Sequence, residues 1–265
     1  MKRSVSASLE LGVDRSATLV LSVAVARLPG LEVSEELTIL GPDGRVEPAE
    51  VADLHGTRLH RFESGPGRVS IRYEAEVSGR AEPAPVDDLD LITYLRPSRY
   101  AESDSLLPTA QSEFGGLEGR QLLASVSSWV GSHLSYVPGS SAPTDGATQT
   151  LLDRRGVCRD YAHLCVALLR ALDVPARLVS VYAPGLFPMD FHAVCEAFVD
   201  GAWHVVDATT LAPRQSLVRI GTGRDAADTA FLNTHRGNVV LERLSVLAIV
   251  DELPRDDVTS FVTLG

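Results

Sequence analysis

The sequence predicts an α+β protein: an N-terminal antiparallel β region of sandwich type, then helices packed on a second antiparallel sheet. Three observations predict it. Up to about residue 100, short apolar–polar alternations are broken by Gly and Pro, the period-two pattern of half-buried strands. From about residue 117, apolar residues recur at helical spacing, as on one buried helix face. Beyond residue 175, strand-like runs return around an Asp-Gly turn. The expected organisation is an N-terminal antiparallel β region over 1–100 and a second region over 101–265.

In the first region the runs are 18–26, 37–40, 59–63 and 69–77. In the last of these Val69, Ile71, Tyr73, Ala75 and Val77 alternate with polar residues, so one face is buried. Gly41-Pro42-Asp43-Gly44 and Gly65-Pro66-Gly67 supply turns, since Pro presets φ and Gly admits positive φ. The Pro- and Asp-rich stretch 82–88 reads as a link. In the second region Leu117, Leu122, Leu123, Val126, Trp129 and Val130 fit one helical face, with Gly131 near its end. A second helix is expected over 157–172, stopping before Val174-Pro175. Strands are expected over 176–183, 192–199, 203–207 and 243–250.

Length and charge narrow the class. A chain of 265 residues buries most of its unfolded surface without staples. Its 24 Lys+Arg against 35 Asp+Glu give a net charge of −11, which argues against a nucleic-acid partner, because that affinity rests on Lys and Arg neutralising phosphates. Cys158, Cys165 and Cys195 are an odd set and no disulfide framework. Glu10 and Asp14 interrupt any signal-peptide core, and no apolar run is long enough to span a bilayer. The expectation is a cytoplasmic chain with reduced thiols, no membrane partner and an unassigned oligomeric state.

The chemistry-bearing segment is Gly156-Val157-Cys158-Arg159-Asp160-Tyr161-Ala162-His163. A cysteine at the first turn of an apolar helix stands at the positive end of the helix dipole, which favours a thiolate. His192 follows 34 residues later at the head of a strand, and Asp207 another 15 later at the end of the next. If Asp200-Gly201 is a two-residue hairpin turn, residues whose numbers sum to about 401 face each other, and His192 and Asp207 come side by side. A thiol, a base and a carboxylate that orients the base make an activated nucleophile. Cys158, His192 and Asp207 are thus the candidate catalytic residues.

These words, with Val174-Pro175-Ala176-Arg177, Asp190-Phe191-His192-Ala193, the run 201–209 and the run 223–228, resemble the bacterial transglutaminase-like superfamily over roughly residues 100–240. The resemblance implies a papain-like core over 101–265 with Cys158 as nucleophile, His192 as base and acid, and Asp207 as its orienter. It also implies an oxyanion site made by the Cys158 backbone N–H and a second donor near Tyr136 or Gln149. One departure concerns the acyl-binding groove: the family commonly places a Trp two residues after the His, where this chain has Val194, followed by Cys195.

The implied activity is acyl transfer through a thioester, hydrolysing an amide or peptide bond. An amine acceptor would instead make it an amide-forming acyltransferase, drawing on a carrier-bound thioester, with Arg154, Arg155, Arg159 and Arg177 as the candidate patch for an acyl carrier protein. A non-catalytic binding module is the third reading. Substrates would be peptide, protein or small-molecule amides or esters. No cofactor or metal is expected: the Cys and His lack paired ligand spacing, and the calcium loop of the animal branch has no counterpart. His163, Cys165 and Cys195 read as packing residues, and Arg159 and Asp160 as a local ion pair or cap.

Overall fold

The longest strands form where apolar and polar residues alternate most strictly. In the computed structural model, which describes residues 1–264, β1 (Lys2–Arg15) buries Val5, Ala7, Leu9, Leu11 and Val13. Strand β7 (Gly67–Gly79) buries the predicted alternate set from Val69 to Val77. These two pair antiparallel along their length. Around them lie β3 (Leu31–Gly41) and β4 (Gly44–Arg45) on one side and β15 (Asn238–Val250) on the other, in the order β15-β1-β7-β3-β4. The 41–44 turn closes the β3–β4 pair as expected.

A second sheet has the order β14 (Leu232–His235), β2 (Ala17–Leu21), β6 (Arg58–Ser64), β5 (Ala49–Ala52). The two sheets enclose one apolar core of Leu9, Leu11, Leu19, Leu21, Ile71 and their neighbours, the sandwich solution for sheets with one apolar face each. The Gly65-Pro66-Gly67 turn carries the chain from one sheet to the other.

The second half begins with α1 (Asp88–Thr93), α2 (Ser103–Phe114) and α3 (Gly119–His133), then α4 (Ala147–Asp153) and α5 (Cys158–Ala171). Between them, β8 (Ser135–Tyr136) and β9 (Arg155–Gly156) pair in parallel. Strands β10 (Ala176–Tyr182), β11 (Phe191–Val199), β12 (Ala202–Val206) and β13 (Val218–Gly223) form a sheet ordered β12-β11-β10-β13, and α6 (Ala226–Thr229) follows. Helix α5 is buried on nearly every side, so Leu164, Cys165 and Leu168 share a core with Ala176, Cys195, Ala197 and Val206. The predicted hairpin forms at Asp200 (φ 52°) and Gly201 (φ 80°), both left-handed as a tight hairpin turn requires. Its register pairs Cys195 with Val206 and Glu196 with Val205, the sum of 401 read from the sequence.

The chain does not divide at residue 100 into separate units. Strand β15 pairs with β1 and β14 with β2, so residues 232–250 complete the N-terminal sheets, and the expected last strand belongs to them rather than to the second region. Tyr182, Val218 and Ile220 of the core sheet also enter the sandwich core. Among the described residues no helix is long and apolar enough to cross a membrane.

Candidate active site

Cys158 is the first residue of α5, half-buried, at the edge of a cleft that it shares with His192. The helix start is held by Asp160, whose Oδ2 accepts from the Val157 N–H at 2.8 Å and whose Oδ1 accepts from Ser141 Oγ at 2.9 Å. Arg159 donates to Ser141 Oγ at 2.5 Å, the Ala142 carbonyl at 2.7 Å and Asp160 Oδ1 at 3.2 Å. Both residues play the local capping and pairing role expected of them. Gly156 is needed for close approach: a Cβ there would lie 2.6 Å from the Asp160 Cβ, inside any real contact distance.

His192 and Asp207, brought to facing strand ends by the hairpin register, are joined by a 2.8 Å hydrogen bond between His192 Nε2 and Asp207 Oδ2. Both are buried. The other carboxylate oxygen, Oδ1, accepts from Thr209 N at 2.9 Å and Thr209 Oγ1 at 2.7 Å. Asp207 thus both holds the imidazole and turns the chain. His192 Nδ1, the ring nitrogen not bonded to Asp207, has no hydrogen-bond partner among the described residues, and the ring shares its cleft with Cys158, whose sulfur acts on it electrostatically. Burial opposes protonation of His192, yet the charge of Asp207, its hydrogen bond and the Cys158 sulfur outweigh burial and raise the imidazole to about 10. Burial likewise disfavours the Asp207 carboxylate, but His192 and Thr209 bring it below the usual carboxylate range.

Tyr136 reaches the same place through β8, whose pairing sets it opposite Gly156. Its phenol meets both the backbone N–H and the thiol of Cys158, and burial together with the charge of that sulfur pushes it up to about 12. Gln149 is elsewhere: exposed on α4, it donates to Asp153 Oδ1 at 2.9 Å. Of the two regions offered for the second oxyanion donor, only Tyr136 adjoins Cys158.

The other flagged residues are structural. His163 is buried, accepts from the Ala226 N–H at 3.1 Å and stacks on Tyr100; burial lowers it to about 3. Cys165 and Cys195 are fully buried, and burial pushes both thiols up. Arg177 is in the core, paired with Glu196 at 2.9 Å and 3.9 Å above the Trp203 ring, so of the four candidate patch arginines only Arg154 and Arg155 are exposed. Val194 is buried beneath the sheet and does not line the cleft. The aromatic surface near His192 comes instead from Phe191 and from Phe231, beyond the core sheet. Nothing local in the sequence marks Phe231, because its place depends on the return of β14.

Similarity to known proteins bears on the family and the fold. The family model of the transglutaminase-like superfamily matches residues 113–208, a span that holds Cys158, His192 and Asp207. A solved chain from Cytophaga hutchinsonii, described as a candidate cysteine protease, is 33% identical, covers 96% of this chain and 92% of its own, and superposes with a TM-score of 0.88. An uncharacterized protein of Mycobacterium leprae is 27% identical over 159 residues, 56% of this chain and 55% of that protein. One of Mycobacterium tuberculosis is 37% identical over 62 residues, 23% of this chain and 20% of that protein. This chain thus matches about half the length of the first curated relative and a fifth of the second. With a family match over the site and near-complete similarity to the Cytophaga chain, this protein belongs to the transglutaminase-like superfamily.

Proposed function

We propose that this chain is a cysteine-dependent acyl-transfer enzyme that hydrolyses an amide or peptide bond through a thioester. The observation that carries the reading is a buried, carboxylate-paired imidazole sharing a cleft with a thiol at the first turn of a buried helix. The candidate cysteine protease from Cytophaga hutchinsonii supports hydrolysis over transfer to an amine.

The steps follow from the residues. Cys158, as thiolate beside protonated His192, attacks the carbonyl carbon, and the carbonyl π pair moves to oxygen. The Cys158 N–H and the Tyr136 hydroxyl, both beside the sulfur, are the donors for that oxygen. On collapse the C–N bond breaks, and the amine leaves with the Nδ1 proton of His192. Neutral His192 then takes a proton from water, whose oxygen attacks the thioester. The C–S bond breaks, the acid departs, and thiolate and imidazolium are restored. Asp207 touches no reacting atom; it is a positioning residue that holds the ring and its charge.

Alkylation by iodoacetamide, read at each cysteine by peptide mass spectrometry, tests this. Cys158 is expected to react at least ten-fold faster than Cys165 and Cys195, with that advantage lost in His192→Ala. Equal reactivity, or indifference to His192→Ala, overturns the reading. Turnover of an amide with and without an added amine then separates hydrolase from transferase.

A further inference from the structure

The cleft beside Cys158 and His192 has a volume of about 460 Å³ and walls from both halves of the chain. The core sheet contributes Leu178, Phe191 and Ile220; the strands and loop that return to the sandwich contribute Phe231, Leu232 and Leu244. Phe191 and Phe231 stack with ring centroids 5.2 Å apart and planes 28° apart. The lining also carries Arg159, Ser180, Asp190, Thr229 and Asn233, and one further polar residue stands apart from these by its burial. Ser22 is 2% exposed, its N–H donates to the Phe231 carbonyl at 2.9 Å, and its hydroxyl has no partner among the described residues. A buried hydroxyl left unpaired is costly unless a ligand completes it. On the far side of Cys158, Tyr136 borders a separate groove of about 1120 Å³ running past Trp129, Ser132 and Thr209.

We infer that the 460 Å³ cleft is the acyl pocket, that it takes a large ring-bearing side chain on the residue whose carbonyl Cys158 attacks, and that Ser22 is a specificity residue hydrogen-bonding the far end of that ring. This rests on the reading of Cys158 as nucleophile. The acyl part stays bonded to Cys158 through two steps and needs a fitted pocket, whereas the amine must leave, which suits the larger groove beside Tyr136. Aromatic and aliphatic walls reward ring burial and edge or offset stacking. A glutamine side chain gains no stacking on Phe191 and Phe231, and glycine would leave the cleft unfilled. A tyrosine ring satisfies both the walls and Ser22.

N-acetylated chloromethyl ketones of Tyr, Phe, Gln and Gly test the inference, since Cys158 Sγ displaces chloride to form a stable C–S bond and the side chain occupies the acyl side. Rates are read by intact mass relative to iodoacetamide on the same variant. The Tyr and Phe reagents are expected to label Cys158 at least ten-fold faster than the Gln and Gly reagents, with Tyr a few-fold ahead of Phe. Ser22→Ala should bring Tyr down to the rate of Phe. Ala227→Trp, at an exposed position on the cleft, should erase the preference for rings by filling the space. Gln or Gly labelling as fast as Phe, with iodoacetamide still selecting Cys158, overturns the pocket but leaves the nucleophile standing. An unchanged Tyr-to-Phe ratio in Ser22→Ala overturns the role of Ser22. Loss of iodoacetamide selectivity in the native chain overturns the nucleophile and the pocket together.

Discussion

The imidazole of His192 is where opposing electrostatic effects are decided. Burial alone would keep it neutral, but Asp207 at 2.8 Å reverses the sign and raises it to about 10. Protonated His192 is the acid that the leaving amine needs, so hydrolysis is expected to persist until pH rises through about 10 and to fail above it. Asp207→Asn removes the largest opposing charge and leaves burial opposed by the Cys158 sulfur alone, so the alkaline limb should move to lower pH. The rate should also fall on the order of 10⁴-fold, as when an orienting carboxylate is lost elsewhere. A pH–rate profile of both forms measures this; an unmoved limb would assign the acid to another group. Cys158, His192 and Asp207 were legible in the sequence because each sits at an element end with a local signature. Ser22 and Phe231 were not, because what seats them on the cleft is their pairing with each other across two hundred positions, which leaves no local pattern.

At the scale of elements, the site depends on how the start of α5 is seated. Gly156 lets the chain pass within contact of Asp160, and Asp160 caps the turn on which Cys158 stands. Gly156→Ala forces a Cβ to 2.6 Å from the Asp160 Cβ. The expected cost is about 1–3 kcal/mol of stability, typical of overpacking, with a loss of Cys158 alkylation rate larger than that of the distant Cys165→Ala. Urea unfolding and alkylation kinetics on the same samples separate the two effects. The β11–β12 register was readable because a two-residue Asp-Gly turn admits one pairing and the apolar faces permit no slip. Helix α2 was not, since it contains Pro108 and buries only Ser103, Leu106, Ala110 and Phe114, too sparse a stripe to stand out.

For the whole molecule, the buried histidines set a stability optimum. His55 and His163 are lowered, chiefly by burial, to about 4 and about 3. As pH falls below about 6.5, the unfolded chain binds protons these sites refuse, so stability falls. His192 works the other way: its contribution is complete below about 6.5 and is lost as pH rises toward about 10. Unfolding free energies from urea titrations are therefore expected to peak near pH 6.5 and decline on both sides, with His163→Gln flattening the acid limb only. A rise in stability from pH 6.5 to 9 would contradict the raised His192. The division into two regions was visible as a change of period near residue 117, but the strands that bind the regions together were not, because β15 meets β1 more than two hundred positions away.

That late return of β14 and β15 bears on how the molecule is made. During synthesis β1 is available from the outset with one edge filled by β7, yet its other edge stays open until residues 238–250 emerge. By then Cys158, His192, Asp207 and the strands β10 to β13 have left the ribosome. The sandwich is therefore sealed late, with only the segment that packs Phe261 and Leu264 on the core still to follow, and the apolar cleft wall from Phe231 to Leu244 is put in place by the same closing event. Completion of the sandwich and completion of the acyl pocket are one step, so a chain with its final strands undocked has Cys158 and His192 but no pocket to present a substrate to them.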